Sequence, residues 1–417
     1  MKHLASLLVL AVTLSAGDRP EVIYVDAWEL QTAVDAAPPH STLVANRNDQ
    51  VTIKETVRID KPLTLVGLNA RLEAGLPKTP ILQVLAEEVH IRDFILEGNG
   101  DSVTQAERAP LIEVRRSRFV IEDGQTNNSA KDGIMINPIA EYGDIEHGVV
   151  RHITGRNTIR DIVSMSGAGD KGLFLRHLVV ENIRSYGSQL RGPVEVSDGS
   201  EHITVRDIYA EGCAYGVDVQ DHGRKGMVNR HIVIEGVHVK NTDTAIRTAN
   251  RDFGHDGLTI RNVTVEDWKE NPRFQPLDIK NTSNVVIDNV QIHGAVKGAA
   301  VSVKNGDHIT IRNVTITNSG QDDAAVLVED SRNTVIDNVV IIGDKQPEIG
   351  VAYRVRAEEI FGGLRITNVI ADQVRNTGIV VENLSEKGGL DSFLISGNMA
   401  TVEAKVKTKK QLVEGNL

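Results

Sequence analysis

The chain has one cysteine, Cys213, in 417 residues, so no intrachain disulfide can form and a disulfide-stapled scaffold is excluded. Cys213 stands in the turn Glu211-Gly-Cys-Ala214 and reads as a small packed residue rather than a nucleophile. Aromatic residues make up only 4% of the chain, which excludes a core built on large rings. Positive charge is in deficit too: the net charge of -11 argues against nucleic acid or an anionic membrane as partner. An anionic substrate stays open, because a local basic patch can outweigh a distant acidic surface. The apolar run from Leu4 to Leu14 is too short to span a bilayer. It follows Lys2 and His3 and precedes Ser15-Ala16-Gly17, the form of a secretory signal over residues 1–17. Secreted or periplasmic location is therefore expected, with the substrate outside the cytoplasm.

What the chain does have is a repeated phrase. It reads His202-Ile-Thr-Val-Arg-Asp-Ile208, Gly257-Leu-Thr-Ile-Arg-Asn-Val263, Asn284-Val-Val-Ile-Asp-Asn-Val290, His308-Ile-Thr-Ile-Arg-Asn-Val314 and Asn333-Thr-Val-Ile-Asp-Asn-Val339. The recurrence is roughly every 24 to 30 residues, the window of solenoids. Apolar and polar residues alternate within each unit, the period of a half-buried strand. Stacked coils bring residues distant in sequence to about 4.8 Å from one another. One elongated domain over 18–398 is expected, each coil burying its core against its neighbours. Ahead of it, Leu30, Ala33 and Val34 fall at helical spacing before Pro38-Pro39, predicting a short amphipathic cap over the first coil. Residues 399–417 lose the pattern and read as a C-terminal cap or tail.

One position of the unit carries Asp93, Asp161, Asp207, Asn262, Asn289, Asn313, Asn338 and Asn368. Asx side chains suit a bend between strands, since they bond local backbone and tolerate left-handed conformations. This column resembles the asparagine ladder of right-handed parallel β-helices of the pectin-lyase-like superfamily. The resemblance implies an all-β, right-handed parallel β-helix and, more often than anything else, polysaccharide chemistry. It rests on pattern over nearly the whole mature chain, so function has to be argued from a site.

Aligning the third strand of successive coils supplies a candidate. Val194-Glu-Val-Ser-Asp198, Val217-Asp-Val-Gln-Asp221, Ile246-Arg-Thr-Ala-Asn250, Leu277-Asp-Ile-Lys-Asn281 and Val301-Ser-Val-Lys-Asn305 point their apolar members inward. The outward column is then Glu195, Asp218, Arg247, Asp278 and Ser302, beside Ser197, Gln220, Ala249, Lys280 and Lys304. Carboxylates at coil spacing repel unless a cation, a proton or Arg247 relieves them. Unrelieved crowding of this kind points toward function. A solvated face whose charges happen to align is the bland alternative. Nearby turns and an insertion add Arg191, Arg224, Lys225, His255, Trp268 and Arg273 as candidate substrate-binding residues, with Lys304. Trp268 suits sugar stacking, or packing beneath a loop.

Three functions fit. The first is a lyase that cleaves an acidic, uronic-acid-containing polysaccharide such as alginate or pectate by β-elimination. Glu195, Asp218, Asp221 and Asp278 would hold Ca²⁺, the metal would neutralise the substrate carboxylate, and Arg247 or Lys280 would take the C5 proton. His222 or His255 is the alternative acid or base. This set is similar in kind to the calcium-assisted β-helix lyases, and Gly192-Pro-Val-Glu-Val-Ser-Asp-Gly-Ser200 resembles the acidic calcium strand of the alginate and chondroitin lyases. It departs from them in placing Asp198 where a basic residue is wanted. The second is a glycoside hydrolase with Glu195 and Asp218 about 5 to 6 Å apart as a retaining pair. The Asn-Thr-Asp and Gly-His-Gly signatures of polygalacturonases and the Asp-Pro-His signature of C5-epimerases do not occur. The third is a secreted glycan-binding or structural β-helix. The oligomeric state is open.

Overall fold

A computed structural model describes residues 20–414, apart from 189, 224–225, 250–253, 270–273, 295–297, 372 and 407. The secretory signal expected over 1–17 and the candidate binding residues Arg224, Lys225 and Arg273 lie outside the described residues.

The chain winds into an all-β right-handed parallel β-helix of about 13 turns. One representative coil runs Ser200–Glu211, turns at Gly212 and continues as Tyr215–Gln220, and the next coil opens with Arg230–Lys240. The long strand bends at Asp207, whose φ is 56°. Ile203 and Val205 point inward before that bend, and Ile208 and Ala210 after it. Each coil thus has three sides but pairs in two parallel sheets, and apolar residues stack in register: Val205 on Ile234, Ile208 on Val237. Aliphatic residues fill this interior as continuous columns. Scarcity of aromatics follows from the narrow coil, which β-branched residues fill without strain.

The expected cap is the helix Leu30–Ala36, which buries Leu30 and Val34 on the first coils. At the other end, Val402–Lys405 pairs with Thr377–Asn383 and Thr408–Glu414 with Gly389–Ser396. Coils therefore continue through the stretch beyond 398.

Asp93, Asp207, Asn262, Asn289, Asn313, Asn338 and Asn368 all adopt left-handed backbone, with φ between 54 and 57°. Coil-to-coil bonds join part of the column: Asn289 donates to Asn262 Oδ1 at 2.7 Å, and Asn338 to Asn313 Oδ1 at 2.8 Å. Asp161 is a correction. The pairing of Glu122, Arg151 and Glu181 carries the column through Asp123, His152 and Asn182 instead. Asp161 lies in the turn before Val163–Ser166 and is fully buried. The motif Arg160-Asp161-Ile162 copies the repeat in text but not in register, so residue type alone misassigned it. A second corner holds His147, His177, His202 and His231, all left-handed, with rings stacked 4.7 to 5.2 Å apart.

Candidate active site

The register expected for the second sheet is observed. Glu195 pairs with Asp218, Asp218 with Arg247, Arg247 with Asp278, and Asp278 with Ser302. The second column follows: Ser197 on Gln220, Gln220 on Ala249, and Lys280 on Lys304. The side chains do stand outward from the coil, yet solvent does not reach them. Glu195 is 1% exposed and Asp218 0%, and Asp278 is buried as well. Neighbouring cations and rings lie over them.

Arg247 grips Asp218 with two bonds, Nε to Oδ1 at 2.9 Å and NH2 to Oδ2 at 2.7 Å. Its guanidinium lies between the rings of Tyr215 and Phe274, at 4.9 and 4.4 Å from their centres. Burial opposes its charge, and Asp218 more than offsets that, so the group is held protonated. This corrects the expectation that Arg247 acts as a base: a guanidinium fixed on a buried carboxylate accepts no proton. Lys280 Nζ bonds Asp278 Oδ2 at 2.8 Å, and Lys304 Nζ meets Glu329 Oε2 at 2.5 Å. Both lie on coils beyond the cleft described below.

Glu195 is the focus of a different network. Arg191 NH1 contacts its Oε2, Arg160 NH2 lies 3.3 Å from the same oxygen, and Gln220 donates to Oε1. Burial works against its ionisation, but Arg191, a hydrogen bond from Asp161 and Arg160 hold its pKa down to about 2. Beneath it, burial first and then the charge of Glu195 push Asp161 well up. Tyr215 donates its hydroxyl to Asp161 Oδ1 at 2.7 Å. Asp132, also buried, is pushed up by burial against the pull of Arg160, whose Nε is 3.4 Å from its Oδ1. One guanidinium therefore touches both an acid driven toward its neutral form and a carboxylate held ionised. Such divergence separates proton donor from acceptor.

Above these groups opens a cleft of about 430 Å³ whose lining includes Glu113, Arg115, Lys131, Asp132, Arg160, Arg191, Glu195 and His222. His222 is 38% exposed at its side chain, and its Nδ1 bonds Asp198 at 2.8 Å. That bond raises the imidazole pKa, against a smaller downward push from burial. Ser166 Oγ donates to Asp198 Oδ2 at 3.2 Å.

Of the candidates named from sequence, Glu195, Arg191 and His222 thus meet in one cleft. Asp218 and Arg247 lie beside it as a covered ion pair. His255 is corrected: it is buried, its Nδ1 accepts from the Asn229 amide at 3.3 Å, and burial lowers its pKa to about 4 despite Asp221. Unlike Asp132 and Glu195, it does not border the cleft. Trp268 is corrected likewise. It packs in the core at 6% exposure, with Nε1 donating to the Asp243 carbonyl at 2.6 Å, so the packing alternative holds. The expected calcium ligands do not converge. Glu195, Asp218 and Asp278 each face a cationic side chain, Asp221 Oδ1 accepts the Gly223 amide, and among the described residues no three His, Cys, Asp or Glu are grouped to hold a metal ion. The acid set does not fit Ca²⁺, which wants oxygens free of competing cations.

Sequence reasoning missed Lys131, Asp132, Arg160, Asp161 and Tyr215. A signal was available. Lys131, Arg160 and Arg191 each stand four residues before an outward floor residue, Met135, Ser164 and Glu195. The Arg160 amide donates to the Lys131 carbonyl at 2.9 Å, stacking the first two directly.

A family model described as the right handed beta helix region matches residues 235–409. No curated protein matches the chain in sequence. Among solved structures, the chain is similar to the pre-mature gene product 12 of bacteriophage phi29, at 12% identity over 94% of this chain and 71% of that one, TM-score 0.58. Tailspike protein 3 of bacteriophage CBA120 matches at 11% identity over 94% and 59%, TM-score 0.50. A GH87 alpha-1,3-glucanase catalytic domain in complex with nigerose matches in two structures, each at 12% identity over 96% of this chain and 67% of that one, with TM-scores of 0.49 and 0.45. At these identities the likeness concerns the fold.

Proposed function

We propose, from a right-handed parallel β-helix with a basic cleft on its second sheet, that this protein cleaves an acidic polysaccharide. The observation that carries the reading is the meeting of Arg160, Arg191, Glu195 and the Asp198-backed His222 around one opening. In a chain of net charge -11, the basic groups Arg115, Lys131, Arg160, Arg191 and His222 gather where two of the nearby acids, Asp132 and Asp161, are pushed toward neutrality. A local field of that sign draws anionic substrate against the charge of the whole.

β-Elimination is the first reaction this set supports. Arg160 and Arg191 would receive the uronate carboxylate and disperse the charge that develops as C5 loses its proton. With Nδ1 of His222 held by Asp198, Nε2 is left to take that proton. The C5–H electrons form the C4–C5 double bond, the C4–O4 bond breaks, and the imidazolium returns the proton to O4. Glycoside hydrolysis is the second, favoured by one observation: Asp132 as acid and Glu195 as carboxylate touch the same Arg160. The apolar run Leu4 to Leu14, read as part of a secretory signal, supports a site of action outside the cytoplasm.

The test incubates the protein with alginate, pectate and glycosaminoglycans and follows both the ultraviolet absorbance of unsaturated uronate ends and new reducing ends. Both signals together support elimination. Reducing ends alone transfer the assignment to Asp132 and Glu195, and neither signal on any acidic polymer overturns the proposal.

A further inference from the structure

The basic cleft does not end at the second sheet. A contiguous hollow of about 320 Å³ adjoins it and shares Asn137 and Ser166 with it. Its lining is mixed: Pro138, Ile139, Ala140 and Leu173 supply an apolar face, and Asp170, Lys171 and Asp198 supply charged groups beside it. The apolar residues belong to two loops that follow the strands Ile134–Ile136 and Val163–Ser166 on adjacent coils. Each loop is closed on itself by an antiparallel bridge, Ile139 with Gly143 and Ala168 with Leu173. On the next coil only Asp198 and Gly199 separate Val194–Ser197 from Ser200–Glu211, so the wall stops there.

Asn137 ties the halves together. Its Nδ2 donates to the Ser166 carbonyl at 2.8 Å, and its carbonyl accepts from Arg115 NH1 at 3.0 Å. A sugar whose carboxylate lies among Arg115, Lys131, Arg160 and Arg191 thus directs its opposite side at an apolar wall. A bare hydroxyl laid against the side chains of Pro138, Ile139 and Leu173 would exchange water for carbon atoms that return no hydrogen bond. A small apolar substituent would instead be removed from water.

We infer that the groove is a two-part subsite for an acidic glycan that carries a small apolar substituent, of which an O-acetyl group is the testable case. This rests on the polysaccharide reading of the basic cleft and extends it to the kind of sugar accepted. The experiment compares alginate, pectate and hyaluronan, each unmodified and chemically O-acetylated, by retardation of the protein in affinity gels and by turnover. The acetylated form of at least one polymer is expected to bind roughly fourfold more tightly, the effect of burying about one methyl group. Ile139→Ser with Leu173→Ser, folding checked by thermal melting, should bring that ratio toward one. Equal or weaker binding of every acetylated form overturns the inference, as does a ratio that survives in the double variant. Cleavage of both forms at equal rates would leave the basic cleft standing as the active site while this inference falls. Failure of every polymer to retard the protein would sink both.

Discussion

Along the first sheet, the outward column before the bend alternates in sign. Arg92, Glu122, Arg151, Glu181 and Arg206 face one another coil by coil, and Glu235, Arg261, Asp288, Arg312 and Asp337 continue the series. Along the second sheet, Glu195 faces Asp218 without alternation. The first column is the wetter of the two, Glu122 apart: Arg206 is half exposed, and Arg312, nearly half exposed, meets Asp288 at 2.8 Å. The second is dry: Arg191 and Arg160 meet Glu195 from the side, and Arg247 meets Asp218 from the next coil of the column. Equal coil spacing therefore produces two outcomes. Where neighbours alternate, each charge is satisfied by the next coil. Where two acids adjoin, the fold brings guanidinium groups over them, and beside Glu195 burial first, then its charge, drives Asp132 and Asp161 toward neutrality.

Breaking the dry column should cost most. Arg247→Ala strands the buried Asp218 carboxylate, and a loss of about 3–5 kcal/mol in urea denaturation is expected. A double change, Asp218→Leu with Arg247→Leu, should recover much of that, because paired removal leaves no buried charge. A loss within about 0.5 kcal/mol for Arg247→Ala, the usual cost at a solvated surface position, would put Arg247 on a level with the wet column.

At the opening itself, His222→Ala should lower turnover roughly 10²- to 10⁴-fold, the range for a positioned general base, with little change in melting temperature. The pH dependence sharpens this. Asp198 raises the His222 pKa above its ordinary 6.5. The neutral ring is the base, so turnover should climb as pH rises through that raised value. The stabilising His222–Asp198 contact runs the other way: it is fully present below the unfolded pKa of 6.5 and fades as pH rises through the folded one. An acid optimum that falls away toward neutrality would instead assign the chemistry to Asp132 and Glu195.

In the wet column, Arg206→Ala should cost only about 0.2–1 kcal/mol, and less in high salt. A larger, salt-independent loss would erase the contrast between the columns. Smallest of all is the effect of chelation: EDTA should leave turnover unchanged, since Glu195, Asp218 and Asp278 are each occupied by a cationic side chain. Loss of activity with EDTA, restored by Ca²⁺, would return those acids to the role of ligands.

Much of the fold was legible because a solenoid repeats its constraints. Val205, Ile234 and Ile260 occupy one interior column, and the same alternation announces it on each coil. Register in the second sheet was legible for the same reason, down to the pairing of Glu195, Asp218, Arg247 and Asp278. The cleft was less so. Its basic rim comes from turns, where only the fixed offset of Lys131, Arg160 and Arg191 from their floor residues repeats, and Asp161 carries the text of a ladder residue while lying beside Glu195. His255 and Trp268 were misread because polar neighbours in sequence say nothing about burial.

The sequence by itself determined the winding, the core columns, the capping helix and which side chains share a face, because period-two alternation and a recurring bend residue are local and repeat. Only the tertiary structure decided which outward charges stay in water. Burial of Glu195 and Asp218 depends on where Arg160, Arg191, Tyr215 and Phe274 fold over them. Arg160, Arg191 and Phe274 come from connections on different coils and Tyr215 from the strand of Asp218 itself, and no strand alternation relates their distances.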